Sequence, residues 1–355
     1  MKNSAVGFTL LELLLAATLT ALLAALVLAT AAGAMNHWNR TAGRLGAASE
    51  ARLGLDQLAQ DLQAAVFRAD GHVWLAATVL PDTSLSGQWR VAAAAAQGKP
   101  GNTNPCTLDL AAPSMGAARF GVAGVWLRFF TAKADTNASA AELPAPVAVG
   151  YQIIRQNITS GSASEQRYML FRAEVRRTKS ATGASGTFEA GYNLDPAATP
   201  ATAYMAPSGT AGDPGNLLRP PLGSVLVDNA IDFGVRFYVR EGGSLRLIFP
   251  AAPSPLEGVP AGGTLTTARP PSLETRHFAM STPPDANDDY RHAFPDVADV
   301  MIRILDDEGA RLLAAYEAGR IHPPSGVAAA DYWWMLAEAH SQVFIRRVAI
   351  LSRPL

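Results

Sequence analysis

Gly7-Phe8-Thr9-Leu10-Leu11-Glu12 opens an apolar segment that continues to Met35. No Asp, Glu, Lys or Arg occurs between Glu12 and Arg40. Because about 20 apolar helical residues cross the hydrocarbon core of a bilayer, residues 8–35 are long enough to do so. A charge near the bilayer centre costs on the order of 2.5–3.5 kcal/mol or more. We therefore expect Glu12 to have a partner or a function.

The order of residues in this segment differs from that of a secretory signal peptide. A signal peptide places its small-residue cleavage site after the apolar stretch. Here the small residue, Gly7, precedes the stretch. A cut after Gly7 would remove a short polar leader and leave the apolar segment attached to the chain.

The string from Gly7 to Glu12 closely resembles the leader junction of type IV pilins and type II secretion pseudopilins. The resemblance implies that residues 1–7 are a leader removed by a prepilin peptidase. It further implies that Phe8 becomes the N-methylated amino terminus. Glu12 would then pair with the Phe8 amine of a neighbouring subunit during assembly.

Physical chemistry offers two interpretations of Glu12. A new α-amino cation on Phe8 would lie one helical turn away, and the amino end of a helix also favours an anion. In the alternative interpretation, Glu12 is a terminal residue of an ordinary signal anchor and extends toward the lipid head groups.

The composition limits the possible classes of protein. The chain has 355 residues, enough for one large domain or two small ones outside a membrane. The net charge is −1, so no basic bias suggests a nucleic-acid partner. The single cysteine, Cys106, rules out an intramolecular disulfide, and zinc is not expected without further Cys or paired His.

A second helical pattern follows the apolar segment. Leu55, Leu58, Leu62 and Ala65 recur at helical spacing, whereas Gln57, Gln60, Asp61 and Gln63 are assigned to other faces. We predict one long helix with a transmembrane half at 8–35 and an amphipathic half at 36–68. The leucine stripe should pack against the following domain.

Residues 69–355 are predicted to form a β-rich globular domain with long loops. Alternating or apolar runs predict strands, and the alternation at 168–175 indicates a strand that is half buried. The predicted strands are 73–75, 125–130, 147–154, 168–175, 225–227, 233–239, 245–249, 299–305 and 343–351. Short helices are predicted at 310–318 and 330–339, with Pro/Gly-rich loops at 179–222 and 250–272. The fold class is therefore α+β with mostly antiparallel pairing.

This order of elements also resembles the minor pseudopilins of the J type. The matching stretches are 52–64, 232–239, 296–305 and 344–347. The resemblance implies a large two-sheet domain behind the helix. A large minor pilin of a type IV pilus is equally compatible.

No catalytic pattern is recognisable in the sequence. There is no phosphate-binding glycine loop and no Gly-x-Ser-x-Gly elbow, and the six histidines lack metalloprotease spacing. We therefore expect neither an enzyme nor a cofactor. The one weak metal candidate is a calcium loop with Asp285, Asp288 and Asp289, which lacks the EF-hand order.

Two further motifs have simple structural explanations. Trp333-Trp334 has helical spacing with Met335 and Leu336, which favours core packing over carbohydrate stacking. The acidic cluster 306–308 is interpreted as a turn and helix cap.

Together these features favour a minor pilin or pseudopilin, a structural subunit of a type IV pilus or a type II secretion filament. The family resemblance implies a single-pass protein of a bacterial inner membrane with its globular domain in the periplasm. The expected partners are other pilin subunits, a prepilin peptidase, an assembly platform with its ATPase, and membrane lipid. The machine itself stays open among secretion, pilus, DNA uptake and a related system.

Charge gives the orientation little support. Arg40, Arg44 and Arg52 follow the apolar segment, whereas the leader offers Lys2, so charge weakly favours the opposite orientation.

The alternative function is a signal-anchored periplasmic enzyme or binding protein that keeps its amino terminus.

Overall fold

The computed structural model describes residues 9–68, 73–79, 109–110, 112–121, 124–132, 146–158, 166–175, 220–250, 276–280, 290, 292–351 and 353–354. The predicted sites at Gly7, Phe8, Cys106 and the three aspartates of the calcium candidate lie outside these residues. Most of the two predicted loops, 179–222 and 250–272, also lies outside them.

The first element is helix α1, Leu10–Gln63. It ends five residues before the predicted boundary at 68, because the backbone beyond it pairs with strands. Ala64 C=O accepts the N–H of Ala132 at 2.9 Å, and Ala65 forms a bridge with Thr131. Strand β1, Val66–Phe67, then pairs in parallel with strand β12, Arg353–Pro354.

The chain divides into two compact units, residues 1–46 and residues 47–355. The division falls within α1, so the last part of this helix belongs to the globular unit. Within the globular unit, Leu55, Leu58, Leu62 and Ala65 are buried in its main core. The prediction that the leucine stripe packs on the globular domain is therefore confirmed.

Two antiparallel sheets form most of the described part of the globular unit. The six-stranded sheet has the order β6-β5-β4-β3-β2-β9, and the four-stranded sheet has the order β11-β10-β7-β8. The larger sheet contains β2 Val73–Val79, β3 Val125–Thr131, β4 Val147–Asn157, β5 Gln166–Val175, β6 Val225–Asp228 and β9 Arg276–Met280. The smaller sheet contains β7 Ala230–Glu241, β8 Ser244–Phe249, β10 Val297–Leu305 and β11 Ser341–Ala349.

These strands confirm the α+β class and the mostly antiparallel pairing. The sequence pattern missed β9, and it placed the last strand at 343–351 instead of Ser341–Ala349. Two helices, α2 Asp307–Glu317 and α3 Ala329–Ala339, connect β10 to β11, close to their predicted positions. Asp306 caps α2 by accepting the N–H of Gly309 at 2.7 Å, which confirms the predicted cap.

The larger sheet is covered on both faces at β3, where all seven residues are buried. One face of this sheet joins the main core with Leu58. The other face carries a second hydrophobic cluster, in which the rings of Trp74 and Phe130 lie 5.3 Å apart. Trp126 and Arg128 are buried on this second face as well.

Candidate functional site

The amino end of α1 is closed by reciprocal hydrogen bonds between Thr9 and Glu12. The backbone N–H of Thr9 donates to Glu12 Oε2 at 2.9 Å, and Thr9 Oγ1 donates to the same oxygen at 3.0 Å. In return, the N–H of Glu12 donates to Thr9 Oγ1 at 3.3 Å. This is a capping box, which satisfies backbone donors that have no partner inside the helix. Glu12 therefore has a partner within its own chain.

The sequence contained the signal for this cap. Thr9 and Glu12 have the Thr-x-x-Glu spacing of a capping box. Glu12 was predicted to act in assembly, and no role was predicted for Thr9. Cleavage between Gly7 and Phe8, methylation of Phe8 and the assembly role of Glu12 stay predictions.

The segment behind the cap has the properties of a membrane span. Leu10–Met35 has 26 residues, a mean hydropathy of 2.4 and no residue buried against the described protein. Its threonine hydroxyls donate to backbone carbonyls of the same helix, Thr18 to Leu15, Thr20 to Ala16, and Thr30 to Leu26 and Val27. The hydroxyls are therefore satisfied without water, as a hydrocarbon environment requires.

A buried ionic network joins the end of α1 to the larger sheet. Asp61 is fully buried, and its Oδ2 accepts from Tyr151 Oη at 2.5 Å and from Arg172 Nε at 2.6 Å. Gln57 Nε2 donates to the other oxygen at 3.1 Å. Arg172 also bonds to Glu174 at 2.6 Å. Burial, followed by the charge of Asp61, raises the pKa of Tyr151 well above its usual value, so its hydroxyl stays protonated and donates.

This network corrects the prediction for Asp61. Asp61 was predicted to lie away from the leucine stripe, as were Gln60 and Gln63, which are indeed exposed. Asp61, however, lies three residues after Leu58 and four before Ala65, so helical spacing places it on the leucine stripe. A carboxylate on the apolar face of a helix is expected to have a buried partner of opposite charge. In this structure the partner is Arg172 of β5.

A second network joins α2 and α3 to the larger sheet. The carboxylate of Glu317 accepts hydrogen bonds from Tyr168 Oη and, at 2.9 Å, from Trp333 Nε1, and it forms an ion pair with Arg155. Trp333 and Trp334 are both buried, which confirms core packing for this pair. The arrangement satisfies buried polar groups and needs no substrate.

Two of the described histidines, His277 and His292, take structural positions. His277 is buried, its Nε2 lies 3.0 Å from the carbonyl oxygen of Ala293, and burial lowers its pKa to about 4. His292 Nδ1 lies 3.1 Å from the carbonyl oxygen of Phe278. In the described part of the chain, no group of three or more His, Cys, Asp or Glu side chains could hold a metal ion. The calcium candidate at Asp285, Asp288 and Asp289 falls outside that part.

Comparisons of the chain with models of protein families, with curated proteins and with solved structures gave no match.

Proposed function

We propose that this chain is a minor pilin or pseudopilin, cut after Gly7 and assembled into a type IV pilus or type II secretion filament. One observation carries the proposal. A membrane-length apolar helix with an acidic residue in its first turn continues directly into an element that is packed in a β-rich globular unit. A filament subunit requires this combination, because the apolar surface must move from lipid to the helices of other subunits.

The capping box is compatible with processing. Every atom that forms it belongs to Thr9 or Glu12, so a cut between Gly7 and Phe8 would leave the box intact. Both hydrogen bonds that Thr9 donates end on Oε2 of Glu12. Among the described residues, no group donates to Oε1 of Glu12. The free oxygen is available to the Phe8 amine of a neighbouring subunit.

The Asp61 network suits a subunit that is extracted from a membrane. Lifting the apolar segment out of lipid requires force along α1, and the globular unit must follow. A buried carboxylate held by Tyr151 and Arg172 resists separation of the helix end from the sheet. The partners in this proposal are other pilin subunits, a prepilin peptidase, an assembly platform and lipid.

A second candidate function is favoured by one observation. The capping box gives Glu12 a structural role that needs neither cleavage nor a neighbouring subunit. Under this proposal the protein is a periplasmic enzyme or binding protein with an uncleaved signal anchor. The two candidates differ in the residue that begins the mature chain.

Mass spectrometry of the amino-terminal peptide from native membranes tests the proposal. The pilin proposal requires a chain that begins at N-methylated Phe8. A Gly7→Leu variant serves as the control and should keep Met1, because a bulky residue replaces the small one at the cut. A wild-type chain that begins at Met1, or one cut beyond Met35, would exclude the pilin proposal.

A further inference from the structure

A short segment, residues 109–110 and 112–121, covers one face of the four-stranded sheet, and we call it the strap. Two backbone hydrogen bonds between Asp109 and Arg119, 2.9 and 3.0 Å long, close it into a loop. Its apolar side chains are buried in the main core, namely Leu110, Ala112, Met115, Ala118 and Phe120. The strap is therefore part of the core although it belongs to neither sheet.

Close contact with a glycine fixes the position of the strap. A Cβ atom on Gly234 would lie 2.2 Å from Cδ2 of Phe120. Only a residue without a side chain leaves room for the phenyl ring on β7. The phenyl ring of Phe120 therefore has one position along the sheet, directly against Gly234.

Hydrogen bonds and an ion pair, formed by two arginines, hold the rest of the strap in place. Arg236 of β7 donates from Nη2 to the carbonyls of Leu110 at 3.1 Å and Ala112 at 2.7 Å. At the other end, Arg119 of the strap forms an ion pair of 2.6 Å with Glu338 of α3. Hydrogen bonds that involve a charged group are stronger than neutral ones.

Asp232 lies beneath the strap in an unusual state for a carboxyl group. It is fully buried, and its Oδ2 accepts the N–H of Phe120 at 3.3 Å. Its Oδ1 has no hydrogen-bond partner among the described residues. Arg303 stands directly opposite on β10, but its Nη2 lies 3.5 Å from the carbonyl oxygen of Gly116. Oδ1 of Asp232 is therefore buried, and no donor from the described part of the chain reaches it.

The charges around Asp232 come from four elements. Arg303 belongs to β10, Arg236 to its own strand β7, and Arg119 to the strap. Glu338 of α3 neutralises Arg119, and Asp109 lies at the exposed end of the strap. Burial opposes the ionised form of Asp232 most strongly, whereas Arg303, the backbone N–H groups of Phe120 and Phe233, and Arg119 favour it.

We propose that Asp232 makes the strap a proton-sensitive clasp, which is closed when the carboxyl group carries a proton and opens more readily when the proton leaves. The proposal is independent of the membrane function proposed above. It rests on one geometric observation, that no donor among the described residues reaches the buried Oδ1 of Asp232, and on the few side chains that hold the strap in place.

The direction of the effect follows from the two states of the strap. In the closed state burial raises the pKa of Asp232 to about 7. With the strap open, water reaches the carboxyl group, and its pKa returns to about 3.9. The closed state therefore binds more protons between about pH 4 and 7, and the strap becomes easier to open as the pH rises through this window. Above about pH 7 the equilibrium no longer changes.

Hydrogen exchange of the full chain in detergent tests the clasp. Protection factors, corrected for the intrinsic pH dependence of exchange, are compared at pH 5.5 and 7.5 for strap amides such as Phe120. The two pKa values predict about a 20-fold loss of protection at the higher pH. Amides in the middle of β10, such as Met301, should change much less.

Two variants and one direct titration complete the test. Asp232→Asn keeps an acceptor for the Phe120 N–H but cannot ionise, so its strap should lose the pH dependence. Asp109→Asn changes an exposed acid of the strap and should behave like the wild type. The proposal is overturned if the protection of the strap amides does not depend on pH in the wild type. It is also overturned if this protection depends on pH equally in the wild type and in Asp232→Asn. If Asp232→Asn does not fold, NMR titration of the wild-type Asp232 carboxyl decides, and titration near pH 4 overturns the proposal.

Discussion

Asp61 of α1 and Arg172 of β5 form an ion pair inside the globular unit, with 2.6 Å between Oδ2 and Nε. The two residues are 111 positions apart in sequence, so the pair closes a long loop between the helix and the sheet. Tyr151 of β4 donates to the same carboxylate oxygen. One carboxylate thus fixes the end of α1 to two neighbouring strands.

Removal of this carboxylate should destabilise the globular unit. Asp61→Ala leaves Arg172 largely buried without its main partner, and breaking a buried pair in this way costs about 3–5 kcal/mol. We expect a loss near the lower value, because Glu174 still pairs with Arg172. Denaturant unfolding of the full chain in detergent measures the change. Gln60→Ala, on the exposed face of the same turn, should stay within about 0.5 kcal/mol, and an equal effect of both variants would contradict the prediction.

Gly234 should not tolerate a side chain. Gly234→Ala places a methyl group 2.2 Å from Phe120, and such overpacking costs about 1–3 kcal/mol. Gly223→Ala is the matched control, because nothing lies within 4 Å of its added Cβ. Thermal or denaturant unfolding compares the two variants. If the clash is the cause, adding Phe120→Ala to Gly234→Ala should cost less than the sum of the two single changes, whereas simple additivity would contradict it.

His277 should make the unfolding free energy fall at acidic pH. Burial lowers its pKa to about 4, whereas a histidine in the unfolded chain titrates near 6.5. The unfolded state therefore binds more protons between these values, and about 2–3 kcal/mol of stability should be lost by pH 4.5. His277→Gln removes this contribution, and exposed His322→Gln should leave it unchanged.

The measurement for His277 is the slope of unfolding free energy against pH. Asp232 contributes a slope of opposite sign between about pH 4 and 7, because burial raises its pKa. The wild-type curve should consequently be flatter than that of His277→Gln, whose stability should rise as the pH falls. An identical slope in both proteins would show that His277 does not titrate as its burial requires.

Variants of Glu12 should separate capping from assembly. Under the proposed function, Glu12→Ala leaves the protein in the membrane but blocks its incorporation into filaments. Glu12→Gln keeps the acceptor of the capping box and loses the charge, so it should also fail to assemble if a cation of a neighbour binds there. Thr9→Ser preserves the cap and should assemble normally. The readout is the amount of subunit in sheared filaments against the amount in membranes, and normal incorporation of Glu12→Gln would leave capping as the role of Glu12.

The sequence predicted those elements whose conformation depends on residues close to one another in the chain. The apolar segment, the leucine stripe of α1 and the alternating strands follow from hydrophobic periodicity, which is a local property. Strand β9 was missed because it is short and lies between regions of weak pattern. β3 is buried on both faces, and its largely apolar run is typical of a strand that is covered on both sides.

For the candidate site, the local part was also contained in the sequence. Thr9 and Glu12 are three residues apart, so the capping box depends only on helical geometry. Asp61 and Asp232 are different, since an acid in a sequence has no visible partner when the partner is far along the chain. The helical spacing between Leu58 and Asp61 indicated that Asp61 is buried. Nothing in the sequence indicated that Arg172 is its partner.

An α+β chain with one helix long and apolar enough to cross a membrane follows from the order of residues alone, because hydrophobic patterns set element type and length. Which charged groups are buried and paired follows only from the folded arrangement. Folding brings Arg172 to Asp61, and it leaves Asp232 beneath Phe120 with an oxygen that no donor from the described residues reaches. The physical reason is that burial and charge pairing depend on contacts between distant segments, whereas periodicity depends only on neighbours in the chain.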